Sequence, residues 1–158
     1  MEAVYAKDDQ GAYQTLKINI EKDSETVFNL LSTTEGVQKW FPQLSFEERI
    51  VGGKMTFHMD EQDDVEMEIT AFEDNIAIGY TWSTGAVRFD LYDSGSETVL
   101  ILDEFLPFDF PHIILDFSGW QFQIQSIKSV AETGRSLDQS EYDFNSVKEE
   151  VETKLDLG

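Results

Sequence analysis

The chain has 158 residues, is 41% hydrophobic and 13% aromatic, and carries a formal net charge of -21. This length predicts one domain with a sizeable core. A surface this acidic repels phosphate backbones and anionic lipid heads, which excludes nucleic acid and membrane surfaces as expected partners. There is no cysteine, which excludes disulfides and thiol chemistry. The first ten residues have no apolar signal core, so we expect a cytoplasmic protein.

The first predicted elements are a strand and two short helices. Apolar and polar residues alternate over 13–20, which is the period of a strand. A helix over 25–32 follows, with Asp23 or Ser24 placed to cap it. A second short helix is predicted within 33–40. Two helices this short need a surface to pack on, and a strongly curved sheet would provide one.

A run of strands comes next. Alternation and turn residues predict six strands, joined by tight turns in an antiparallel meander. They cover residues 46–50, 54–59, 65–72, 76–82, 87–92 and 98–105. The last of them is apolar on both faces for much of its length, as a central strand would be.

A long helix is predicted between Pro111 and Gly134. Apolar residues recur there at alternating steps of four and three, which places them on one helical stripe. The stripe consists of Ile113, Phe117, Trp120, Ile124, Ile127 and Ala131. Pro111 suits a first helical turn, and Gly134 suits a helix end with positive φ. Strands followed by a segregated helix indicate the α+β class.

The remaining residues predict a linker and an acidic amphipathic helix over 136–158, after a main domain over 1–135. Ser146 begins a capping-box spacing. The apolar stripe of this tail helix consists of Phe144, Val147, Val151 and Leu155. We expect the tail to pack on the outer face of the long helix, over Leu115 and Phe122, in its own subunit or in a dimer mate. The alternative is a frayed acidic tail.

The whole pattern resembles the START-like, or polyketide cyclase/SRPBCC, superfamily with its helix-grip (Bet v 1-like) fold. Within it the chain is most similar to bacterial proteins resembling the C-terminal domain of the activator of Hsp90 ATPase. The resemblance covers about residues 13–134. The positions that carry it are Ile18–Ile20, Ser24, Val27, Phe28, Glu35-Gly36, Trp40-Phe41, Gly53, Tyr80-Thr81-Trp82, Thr98–Leu102 and Ser118-Gly119-Trp120. It implies a curved antiparallel sheet wrapped around the long helix, with a cavity between them that often holds an apolar ligand.

That geometry predicts a ligand pocket. The helix stripe should face the concave side of the sheet, and aromatic strand residues should form the opposite wall. The predicted lining is Trp40, Phe57, Trp82, Phe89, Ile101, Phe117, Trp120 and Ile124. The alternative is that these side chains simply fill a close-packed core.

Polar candidates are few. His58 and His112 are far apart and, without cysteine, make no metal motif, so the sequence predicts no metal and no cofactor. The acidic turn at 60–66 lacks the glycine and the terminal glutamate of an EF-hand, and is expected to be a solvated turn. Arg88 is placed to pair with Asp103 or Glu104 across the sheet.

Glu104 is the remaining polar candidate, because it interrupts an apolar strand. If its side chain points into the cavity, burial would raise its pKa and make it an acid or base.

Two classes of function follow from these features. The first is a non-catalytic module that binds a hydrophobic small molecule or a chaperone-type protein partner, as a monomer or homodimer. The second is a small enzyme of the cyclase or hydrolase kind using the same cavity. No set of acid, base and nucleophile converges in the sequence, which favours the first.

Overall fold

The computed structural model describes residues 1–157 of the chain. Their helices and strands are β1 (Glu2–Lys7), β2 (Gly11–Ile20), α1 (Ser24–Ser32), α2 (Thr34–Val37), β3 (Leu44–Phe46), β4 (Lys54–Phe57), β5 (Val65–Glu73), β6 (Ala77–Trp82), β7 (Gly85–Asp93), β8 (Thr98–Pro107), α3 (Ile113–Thr133) and α4 (Phe144–Leu155). Gly158, the last residue of the predicted tail segment, lies outside the described residues.

The strands form one curved antiparallel sheet in the order β1-β2-β8-β7-β6-β5-β4-β3. The strands from β3 to β8 are a meander, and β2 pairs with β8 from Gly11 opposite Pro107 to Ile20 opposite Thr98. Pairing an early strand with the last one brings the two halves of the chain together around α3. The predicted α+β helix-grip fold is confirmed.

Helix α3 buries the apolar stripe that the sequence predicts, although Ala131 at its end is only half-buried. The predicted start is wrong by two residues. The helix begins at Ile113, and His112 before it has a left-handed backbone with φ 68°. Pro111 therefore lies in the turn that leads from β8 into the helix. The predicted end is correct, since Gly134 has φ 81° and its N–H bonds the Val130 carbonyl.

Two strands differ from the sequence prediction. β1 is absent from it, because Glu2, Val4 and Lys7 are exposed and the segment shows little apolar alternation. β3 spans Leu44–Phe46 rather than 46–50, because the residues after it turn towards Gly52, whose φ is 85°. None of the helices formed by residues 1–157 is long and apolar enough to cross a membrane.

The tail helix α4 packs on α3 and β1 within the same chain. Asp143, rather than the predicted Ser146, caps it by accepting a bond of 3.1 Å from the Ser146 N–H. Phe144 stacks on Phe122 of α3 with ring centroids 5.5 Å apart. The expected cover over Phe122 is thus confirmed, whereas Leu115 stays 54% exposed and is not covered. The division into 1–135 and 136–158 stays a prediction.

We expect Phe144→Ala to lower the free energy of unfolding by about 1–1.5 kcal/mol, because a stacked aromatic pair is worth roughly that amount beyond its buried area. Urea denaturation would measure the change. Thr153→Ala, at an exposed position on the same helix, is the matched control and should change it by less than about 0.5 kcal/mol. Equal effects of the two variants would contradict the packing of α4 on α3.

Candidate functional site

Aromatic rings from five segments of the fold meet beside the first half of α3. Trp120 stands at their centre, with ring centroids 5.1 Å from Trp82, 5.9 Å from Phe41 and 6.2 Å from Trp40. Phe57 joins the group through Trp82, at 5.7 Å. Phe89 of β7 completes it, 6.0 Å from Trp120. These contacts join the rings into one aromatic cluster.

The predicted pocket residues do not all lie where the sequence places them. Phe89, Phe117 and Ile124 are fully buried and contribute to the packed core. The placement of Ile101 on the concave face is wrong. The inner face of β8 consists of Leu100, Leu102, Glu104 and Leu106, so Ile101 points to the opposite face. When a strand is apolar on both faces, its sequence does not show which residues point towards the core, and this explains the error.

An open groove of about 380 Å³ runs along one face of α3, next to the aromatic rings. Trp82 and Trp120 are the predicted pocket residues that line it. The complete lining is Phe41, Trp82, Phe110, Pro111, His112, Leu115, Asp116, Gly119, Trp120 and Gln123. A Cβ atom added at Gly119 would meet no other atom within 4 Å. The absence of a side chain there keeps the groove open.

A pair of carboxyl groups connects the groove to the buried face of the sheet. Glu104 is 2% exposed, and its Oε1 accepts a bond of 3.3 Å from Gln14 Nε2. Asp116 Oδ1 accepts a bond of 3.1 Å from Trp82 Nε1. Among residues 1–157, Glu104 Oε2 and Asp116 Oδ2 are buried and have no other hydrogen-bond partner. The two groups face each other within hydrogen-bonding reach, so one shared proton satisfies both oxygens.

The shared proton belongs on Glu104. Burial raises the pKa of the Glu104 carboxyl well above its ordinary value, and the facing Asp116 carboxylate raises it further. The indole N–H of Trp82 donates to Asp116 Oδ1. The sequence leaves two orientations open for Glu104, and the structure has the inward one, in which burial raises the pKa of the carboxyl.

A chain of polar groups continues from Glu104 to the surface. Gln121 Nε2 donates to Gln14 Oε1 over 2.8 Å and also to the Tyr5 hydroxyl. The Tyr5 hydroxyl in turn donates to Glu150 on α4, 3.3 Å away. Burial and the nearby Glu150 carboxylate raise the pKa of Tyr5 to about 12. The side-chain amides of Gln14 and Gln121 therefore hold Glu104 in position on the side away from the groove.

The other polar candidates are surface features. His58 is exposed, with Nδ1 3.1 Å from Asp64 Oδ2. Arg88 lies opposite Asp103 in the pairing of β7 with β8, as the sequence predicts, but its ion pair is with Asp90 of its own strand. Within residues 1–157, no three potential metal-ligating side chains cluster together.

Sequence reasoning missed Asp116, Gly119 and Gln123 as groove residues. Their spacing from His112 follows steps of four, three and four, which is a helical stripe of its own. The stripe contains little apolar surface, and a search for apolar periodicity passes over it. The signal that could have predicted these groove residues is a polar stripe that lies next to the aromatic stripe on the same helix.

Comparison with known proteins identifies the family. The model for activator of Hsp90 ATPase homolog 1-like proteins matches residues 22–132, more than half of the chain. A conserved protein of unknown function from Enterococcus faecalis has a similar structure, with a TM-score of 0.89 and 26% identity over 97% of this chain and 90% of that one.

Two more distant structures share the fold. The Aha1 dimer of Colwellia psychrerythraea has a TM-score of 0.64 and 17% identity, over 77% of this chain and 97% of that one. CalU16 of Micromonospora echinospora has a TM-score of 0.70 and 12% identity, over 95% of this chain and 92% of that one. The comparison with curated proteins gave no match. From the match over residues 22–132, we conclude that the chain belongs to the activator of Hsp90 ATPase homolog 1-like family.

Proposed function

We propose that this protein is a binding module for a small molecule with an apolar body, and that the groove along α3 is its site. The observation that carries the proposal is the groove itself, with walls formed by Phe41, Trp82 and Trp120 and a floor left open at Gly119. Trp82 and Trp120 are 8% and 2% exposed, so they offer a ligand a small apolar contact on side chains that packing already holds in place.

The size and polarity of the groove support this proposal. Its volume of about 380 Å³ falls within the range of small-molecule sites. Its few polar groups include Gln123, whose buried Oε1 has no hydrogen-bond partner among residues 1–157. A buried acceptor without a partner is costly unless a ligand or water donates to it. The groove therefore combines an apolar surface with a point that can orient a ligand.

Filling the groove tests the proposal. Nile red, a neutral dye, should bind the wild-type protein saturably, and Gly119→Leu should weaken that binding at least about tenfold by occupying the groove. Gly119→Ala is the matched control, since its methyl group meets no other atom within 4 Å. It should keep the affinity, and it should stabilise the helix by about 0.5–1 kcal/mol. Unchanged dye binding by Gly119→Leu would overturn the assignment of the site.

The buried carboxyl pair favours a second candidate, an enzyme that moves a proton on its ligand. Glu104 would be the acid and Asp116 the base, in an apolar site beside the bound molecule. Native mass spectrometry of protein purified from cells separates the two functions. A binding module retains the same compound in wild type and in Glu104→Gln, whereas an enzyme accumulates substrate in the variant. Binding of a chaperone-type protein partner stays a prediction.

A further inference from the structure

The charges that line the groove are one-sided. Asp116 is its one acidic residue, and within residues 1–157 no lysine or arginine lines it. Glu104 behind it holds the shared proton, which leaves the single negative charge of the pair on Asp116. A carboxylate has about four lone-pair sites. Asp116 Oδ2 is buried, and Asp116 Oδ1 accepts one bond from Trp82 Nε1, so Oδ1 is the oxygen that can still accept from a ligand.

The aromatic walls add to this preference. The rings of Phe41, Trp82 and Trp120 line the groove together with Asp116. The face of an aromatic ring attracts a cation, most strongly for tryptophan. The net charge of -21 also raises the concentration of cations near the whole surface. Three independent features therefore favour a positive ligand, while an anionic one would meet Asp116 with only His112, and no lysine or arginine, in the lining to compensate.

We infer that the ligand of this groove has an apolar body and a protonated amine, with the ammonium group bound at Asp116 against the tryptophan rings. The inference rests on the proposed function and narrows its ligand class. The apolar body lies along Phe110, Leu115 and Gly119. The ammonium group keeps part of its hydration because the groove opens to solvent, so the cost of burying the charge is small.

Three probes of equal chain length test the inference without any variant. Decylamine, decanol and decanoate would each be titrated, below their aggregation concentrations, against Nile red bound to the wild-type protein. The expected order of affinity is amine, alcohol, carboxylate, with the amine at least about tenfold tighter than the alcohol. Decanol binding as tightly as decylamine would overturn the inference and leave the proposed function standing. Failure of the dye and of all three probes to bind would overturn the proposed function itself.

A matched pair of variants separates the groove from the general surface charge. Asp116→Asn should bring the affinity for decylamine down to that for decanol, because asparagine keeps the acceptor for Trp82 Nε1 and loses the charge. Asp74→Asn removes one charge from the exposed turn between β5 and β6 and should leave the tenfold preference intact. An equal loss in both variants, or in neither, would overturn the role of Asp116.

Discussion

Trp120→Ala is expected to lower the free energy of unfolding by about 3–5 kcal/mol. The indole is 2% exposed and lies between the rings of Trp40, Phe41, Trp82 and Phe89, all within 6.2 Å of it. Removing it deletes one member from each of these pairs and leaves a void that neighbouring rigid rings cannot fill. Chemical denaturation at equilibrium would measure the loss.

Leu115→Ala is the matched control, because Leu115 lies on the same helix and is 54% exposed. It should cost less than about 1 kcal/mol. A loss below about 1 kcal/mol for Trp120→Ala would show that the groove already surrounds the indole with space. In that case the aromatic group would be a binding surface without a structural role.

Strong, one-sided patterns made most of the fold predictable. The stripe from Ile113 to Ile127 has a single apolar face, and its burial follows from the helical period alone. Strands β6 and β7 alternate clearly, and their inner residues, such as Tyr80 and Phe89, lie where the alternation places them. Gly134 adds a backbone signal that is independent of burial.

The sequence predictions were wrong where the local residue pattern fits two structures equally well. The strand containing Ile101 is apolar on both faces, so only its pairing with β2 and β7 decides which residues point inward. Strand β1 is held mainly by its partner β2 and by α4 and has little periodicity of its own. Leu115 was expected to be covered because it is apolar, but α4 stacks on Phe122 and leaves Leu115 54% exposed.

The pair of carboxyl groups at the candidate site, Glu104 and Asp116, was also only partly predictable from the sequence. From the sequence, Glu104 is an acid or base only if its side chain points inward. Its position within an apolar strand was enough to single it out. Asp116 carried no such signal, because one acidic residue near the start of a helix is ordinary. Only the packing of α3 across the sheet places Asp116 beside Glu104, and such a long-range pairing has no local signature.

Glu104→Gln tests the state of that pair with the least structural change. In the variant, the side-chain carbonyl still accepts from Gln14 Nε2, and the amide N–H takes the place of the proton shared with Asp116. Glutamine at this position therefore mimics protonated Glu104 at every pH. The variant should fold with the same contacts. A difference in the free energy of unfolding between variant and wild type therefore reports the cost of keeping Glu104 protonated or of ionising it.

We expect Glu104→Gln to become progressively more stable than the wild type as the pH rises. The pKa of Glu104 is higher in the folded than in the unfolded chain, so its contribution to wild-type stability is fully present at low pH. The contribution is lost as the pH rises from the ordinary glutamate pKa of 4.5 towards the folded value. The difference in the free energy of unfolding between variant and wild type should grow by about 1.4 kcal/mol per pH unit in that window.

Urea denaturation of both proteins at several pH values would measure this difference. Asp103→Asn is the matched control. Asp103 precedes Glu104 in the chain, and its side chain is exposed on the outer face of the same strand, where it accepts from Thr15 Oγ1. Because Asp103 is exposed, its replacement should change the free energy of unfolding by less than about 0.5 kcal/mol at every pH tested. A difference that stays the same at every pH for Glu104→Gln would contradict a protonated Glu104.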